Sequence, residues 1–108
     1  MFVGVFSLQS MFSGFQIIND LLRLRWVPEI LRSIDFGNHR YIHILESIPN
    51  MSHTELNRKL SLLMEKRVIG KEIRGNIGKY VLLDFGKDLI HIFHHLEDIQ
   101  QRYCQPSA

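Results

Sequence analysis

The sequence predicts a mainly α-helical domain with one small β-hairpin, and three observations carry that expectation. Apolar residues recur at helical spacing over most of the chain, punctuated by residues that start and stop helices. Between Val68 and Leu83 the pattern changes to two β-prone runs around Gly75 and Gly78. With 108 residues, 45% of them hydrophobic and 22% charged, the chain can bury one core but not two, so residues 1–108 read as one domain and a multi-domain enzyme is excluded. The apolar content also excludes intrinsic disorder. A lone cysteine, Cys104, cannot form an intramolecular disulfide, which suggests a reducing, cytoplasmic setting.

Residues 1–15 form an apolar arm rich in Phe, Val, Leu and Met, including Phe2, Val3, Val5, Phe6, Leu8, Met11, Phe12 and Phe15. It lacks the basic start and cleavage pattern of a signal peptide and is too short to span a bilayer, so no membrane role is expected. Such a surface must pack on the domain or on a second copy. Ile17, Ile18, Leu21 and Leu22 then give a first helix. Pro28 suits the first turn of a second, whose apolar face is Ile30, Leu31 and Ile34 and which stops near Gly37. A short third helix runs from Tyr41 to Ile48, where Pro49-Asn50 breaks it.

The fourth helix has the best-defined start. Ser52 can cap its amides, Glu55 can reach back to the Ser52 amide, and Met51 with Leu56 makes a hydrophobic staple. Leu56, Leu60, Leu63 and Met64 face inward, leaving His53, Thr54, Asn57, Arg58 and Ser61 outward. Val68–Ile73 and Lys79–Leu83 make the hairpin across residues 74–78. A last helix, residues 84–103 with Asp84 as its cap, carries a near-heptad seam of Leu89, Ile92, Phe93, Leu96, Ile99 and Tyr103. The order is helix, helix, short helix, helix, two-stranded wing, helix.

The net charge of +2 hides an uneven distribution. From Asn38 to Lys79 there are eight basic and four acidic residues, a net +4, while the remainder carries −2. A basic helix-turn-helix and hairpin in an acidic, apolar frame is the pattern of one face for phosphates and another for a partner subunit. The plainer alternative is a solvated surface.

Arg25-Trp26, Ile30-Leu31-Arg32, Gly37 through Tyr41, Ile48 through Ser52 and Leu60 to Val68 together resemble the HxlR-type bacterial winged helix-turn-helix regulators. The resemblance spans about Phe12 to Leu96. It implies a homodimeric transcription regulator on a palindromic operator, with a recognition helix from Ser52 to about Lys66 in the major groove and a wing from Val68 to Leu83 on the backbone or minor groove. The terminal helices would make the dimer. Four departures stand out: Ser13, followed by Gly14, replaces a cysteine able to sense oxidants; the wing is shorter and lacks a proline-rich tip; Leu83 replaces the cap of the last helix; and Arg67 replaces the glycine before the wing.

Within this frame Asn57 can bond an adenine edge and Arg58 a guanine edge, the alternative being contact with phosphate or water alone. His53 and Thr54 start the recognition helix, where amides favour phosphate, and Ser52 is a cap first and a phosphate contact second. On the wing Lys71, Arg74, Asn76 and Lys79 suit phosphate or minor-groove contact, and Arg40 is a backbone anchor. His91 and His95 are four apart, beside His94 and within a turn of Asp88 and Asp98, a spacing that can bind zinc. Nothing else in the chain completes such a site, so neither metal nor cofactor is expected. Trp26 is expected in the core and Cys104 exposed and inert. Nothing supports catalysis, since no nucleophile elbow, phosphate loop or paired carboxylates occur. The alternative function is a winged-helix module turned to protein–protein interaction without DNA.

Overall fold

The computed structural model describes residues 8–104. The chain forms α1 (Leu8–Leu22), α2 (Val27–Asp35), α3 (Tyr41–Ser47), α4 (His53–Glu65), β1 (Ile69–Arg74), β2 (Ile77–Leu82) and α5 (Asp84–Tyr103). Phe2, Val3, Val5 and Phe6 of the expected arm lie outside the described residues. The rest of that arm, Leu8 to Phe15, is not a separate segment but the first turns of α1.

The core is built where the helical periodicity places it. Val27, Ile30, Leu31 and Ile34 of α2 are buried together with Ile44, Ile48, Leu56, Leu60, Leu63, Val68, Ile69, Tyr80, Leu89 and Ile90. Burying each large apolar side chain contributes about 1.5–3 kcal/mol, so α2, which packs against α1, α3, β2 and α5, is the central element. Trp26 is half-buried against this core at φ +75, with the Arg25 guanidinium 4.7 Å over its ring.

Two helices end in the same way. At α2 the Asn38 amide donates to Ser33 O at 3.0 Å and the Gly37 amide to Ile34 O at 3.1 Å. At α4 the Val68 amide donates to Leu63 O at 2.9 Å and the Arg67 amide to Met64 O at 3.1 Å. Both are Schellman closures, which place one residue in the left-handed region. Gly37 takes it at φ +114 and Arg67 at φ +60.

The hairpin pairs Ile69 with Leu82 through Arg74 with Ile77, leaving only Gly75-Asn76 in the turn. Arg74, Ile77 and Gly78, expected in the loop, belong to the strands. Gly75 has φ +61 and Asn76 is not among the positive-φ residues, the pattern of a II′ turn, which matches the twist of paired strands.

Asp84 is not the cap of α5 but its first helical residue. Leu83 holds the cap position without a side-chain bond, while Asp84 places its charge by the helix N-terminus. Gly86 lets α5 approach the chain entering β1, since a Cβ there would lie 2.3 Å from Val68 O. Beyond Ile90 the helix leaves the core: Ile92, Leu96 and Tyr103 are exposed, and Phe93 and Ile99 half-buried.

Candidate nucleic-acid interface

The start of α4 is fixed by Ser52, whose Oγ accepts from the Glu55 amide at 3.1 Å. The reciprocal half of the expected capping box is not made. The Glu55 carboxylate instead lies 3.6 Å from both Arg58 Nη1 and Lys59 Nζ. The staple is present, with Leu56 fully buried and Met51 packed against the core. Asn50, at φ +67, makes the turn from α3 into α4; asparagine tolerates that conformation better than most residues.

With Leu56, Leu60 and Leu63 inward, the opposite face of α4 is open. Ser52, His53, Thr54, Asn57, Arg58 and Ser61 are all exposed. Arg58 is held by Glu55 only through an exposed pair, worth under about 1 kcal/mol and easily exchanged for a phosphate or a base. At the head of this face Tyr41 stacks on His53, and its hydroxyl lies 3.0 Å from His53 Nδ1.

The hairpin is tied to the helix-turn-helix through His39. The Tyr80 amide donates to His39 O at 2.7 Å, and His39 Nδ1 lies 2.9 Å from Tyr80 O, so the loop before α3 docks on the free edge of β2. Paired residues of an antiparallel ladder share a face. The register therefore puts Glu72, Arg74, Ile77 and Lys79 on one face and Lys71, Ile73, Gly78 and Tyr80 on the other.

This separates the expected wing contacts. Lys79 joins Arg40, with His39, His43, Gly37 and Ile77, around one cleft between hairpin and α3 that no carboxylate of the described residues lines. Arg74 sits on the Lys79 side with Glu72 nearby. Lys71 lies on the opposite face, its Nζ 5.2 Å from the Tyr80 ring centroid. Its aliphatic stem covers Gly78, where a Cβ would be 2.7 Å from Lys71 Cε. Asn76 is exposed in the turn. Among the described residues no ion pair engages Arg40, Arg74 or Lys79.

Sequence reasoning assigned no role to His39, His43 or Tyr41. The bonds of His39 to Tyr80 span 41 positions and carry no local signal. Among the described residues no three His, Cys, Asp or Glu side chains converge as a metal site. His94 pairs with Asp35 of α2 at 3.5 Å, next to an Arg32–Glu97 ion pair, while His91 and His95 are exposed. No helix among the described residues is long and apolar enough to cross a membrane.

The fold is shared with solved regulators. The reduced form of the transcriptional regulator YodB from B. subtilis superposes with a TM-score of 0.73 at 22% identity, over 96% of this chain and 100% of that one. A protein described as a MarR-family transcriptional regulator from Porphyromonas gingivalis W83 gives 0.64 at 17% identity, over 95% and 99%. One described as an HxlR-family transcriptional factor from Thermoplasma volcanium GSS1 gives 0.58 at 23%, over 78% and 82%. No curated protein matches by sequence. The model of the HxlR-like helix-turn-helix family matches residues 21–108, from the end of α1 through the helix-turn-helix, hairpin and α5 described above, and the chain belongs to that family.

Proposed function

We propose that this protein is a homodimeric, sequence-specific transcription regulator that sets α4 in the major groove of a palindromic operator and its hairpin on the backbone or minor groove. The observation that carries the reading is the cleft where Arg40 and Lys79 meet. Two elements distant in sequence bring cations together that make no ion pair among the described residues, and no described carboxylate lines the cleft. Cations gathered on one exposed surface attract an anion, and a phosphate backbone supplies one. Asn57 and Arg58 read base edges, while Ser52, Thr54, Arg40, Lys71, Arg74, Asn76 and Lys79 hold phosphate or sugar. A DNA-directed role places the protein in the cytoplasm.

The dimer is supported by surface that one copy leaves open. Leu8, Met11, Phe12, Phe15 and Ile17 of α1 and Ile92, Leu96 and Tyr103 of α5 are exposed, and large exposed apolar side chains grouped on one element mark interaction surfaces. Pairing two copies through these helices would give the two-fold symmetry that a palindromic site mirrors.

Binding of the full chain to duplex DNA across a salt series tests the function. Affinity should be strongest at low salt and fall linearly in log–log coordinates. Undetectable binding at low salt would overturn it and favour a protein-interaction module. Selection of bound sequences from random DNA should return a palindrome; a non-symmetric product would overturn the two-fold arrangement.

A further inference from the structure

The junction of α3 and α4 holds an arrangement that phosphate contact alone does not require. Tyr41, first residue of α3, lies over His53, first residue of α4, with ring centroids 5.7 Å apart and planes 15° from parallel. Its hydroxyl oxygen is 3.0 Å from His53 Nδ1 and 3.3 Å from the His53 carbonyl oxygen. Proton bookkeeping then decides the chemistry. A phenol has one proton to give, and a carbonyl oxygen can only accept. Both contacts are satisfied together in one way: the Tyr41 O–H donates to the carbonyl, and the Tyr41 oxygen accepts from His53 Nδ1–H. The proton of the neutral imidazole is thereby assigned to Nδ1, and Nε2 is left with a bare lone pair on an exposed side chain.

We propose that Tyr41 is a positioning residue that holds neutral His53 as its Nδ1–H tautomer, so that Nε2 accepts a hydrogen bond from an exocyclic base amino group, N4 of cytosine or N6 of adenine. This rests on the DNA-binding reading. Phosphate oxygens only accept, so a bare Nε2 has nothing to gain from them. The major-groove donors it can use are those two amino groups. His53, expected from its place at the helix start to meet phosphate, becomes a reader of bases, and Tyr41 acts on specificity without touching DNA.

Tyr41→Phe keeps the ring stack and removes only the relay, and two measurements on the full chain separate the claims. Long-range proton–nitrogen correlation spectra of the ¹⁵N-labelled free protein, at about pH 8.5 and so above the ordinary histidine range, should show His53 protonated at Nδ1. Tyr41→Phe should lose that signature; a wild type protonated at Nε2 would overturn the relay. On DNA, Tyr41→Phe should weaken binding to the selected site about fivefold, the value of one hydrogen bond, and leave random DNA unchanged. In a His53→Ala background the same substitution should cost nothing further, because Tyr41 acts through His53. Equal loss on both DNAs, or a full loss in that background, would overturn the base-reading role. Absence of any DNA binding by the wild type would overturn the functional reading and with it the base contact, while the spectra judge the Tyr41 relay independently.

Discussion

Replacing Arg67 by glycine should stabilise this protein, although it removes a charged residue from an exposed helix end. Arg67 sits at φ +60 because the Schellman closure of α4 demands a left-handed residue between Lys66 and Val68. For a residue with a Cβ that conformation costs about 1–2 kcal/mol, and for glycine essentially nothing. Glycine returns about 0.4–1 kcal/mol of this through the larger entropy of its unfolded chain. The arginine is exposed and makes no ion pair among the described residues, so little packing is lost. The net expectation is a gain of about 0.5–1 kcal/mol, or roughly 2–6 °C in Tm for a domain of this size. Gly37→Ala is the mirror experiment. Gly37 closes α2 in the same way, and a Cβ there meets nothing within 4 Å, so any loss, expected at about 0.5–1 kcal/mol after the same entropy offset, is conformational rather than steric. Urea titration and calorimetry at matched protein concentration would measure both. An Arg67→Gly protein no more stable than the wild type, or a Gly37→Ala protein unchanged, would refute the backbone argument. The same Arg67→Gly protein should lose about one unit of salt slope on DNA if its charge meets a phosphate.

Gly86→Ala should destabilise by about 3 kcal/mol, because the new Cβ would meet the Val68 carbonyl at 2.3 Å and backbone cannot move aside as a side chain can; chemical denaturation would show it. Ser52→Ala removes the side-chain bond that caps the Glu55 amide of α4 and should cost about 1 kcal/mol by the same method. Arg58→Ala should reduce discrimination between selected and random DNA, whereas Lys79→Ala should weaken both alike and lower the salt slope by about one, as competition binding would reveal. Paired Phe12→Glu and Phe15→Glu substitutions should give a monomer in sedimentation velocity, since both rings are exposed on α1 and charge there opposes apolar pairing.

Local rules carried the sequence reading as far as they reach. The inward set of α4, the Ser52 cap, the Met51–Leu56 staple and the stop at Gly37 each depend on residues within a turn or two, and each is present. Where two local options competed, the reading slipped. Glu55 could close the capping box or pair with Arg58 and Lys59, and it pairs. Asp84 could cap α5 or open it, and it opens it. Gly75 and Gly78 suggested a broad loop, yet only Gly75 needs a positive φ; Gly78 is a strand residue whose missing side chain makes room for Lys71. Gly86 gave no signal because its constraint comes from Val68, eighteen positions earlier. The cleft at Arg40 and Lys79 was equally hidden, since the hairpin's position depends on His39 reaching Tyr80.

The burial of α5 bears on how two DNA-binding halves could keep a fixed spacing. A two-fold reader must hold its recognition helices about one helical turn of DNA apart, so the helix that joins the halves has to be rigid relative to α4. The polar ties from α5 to α2, Arg32 with Glu97 and Asp35 with His94, are largely exposed and worth at most about 1 kcal/mol each. They cannot set that geometry. Gly86, Leu89 and Ile90 can, because they are buried in the first two turns, where Gly86 locks the helix against the backbone leading into β1. That same backbone leaves α4 through the closure at Arg67. The orientation of α5 relative to α4 is therefore set over a few residues around Val68, while Ile92, Leu96 and Tyr103 of the later turns are exposed. A spacing change in the operator should then be tolerated poorly, and substitutions at Gly86 should impair DNA binding more than loss of both polar ties does.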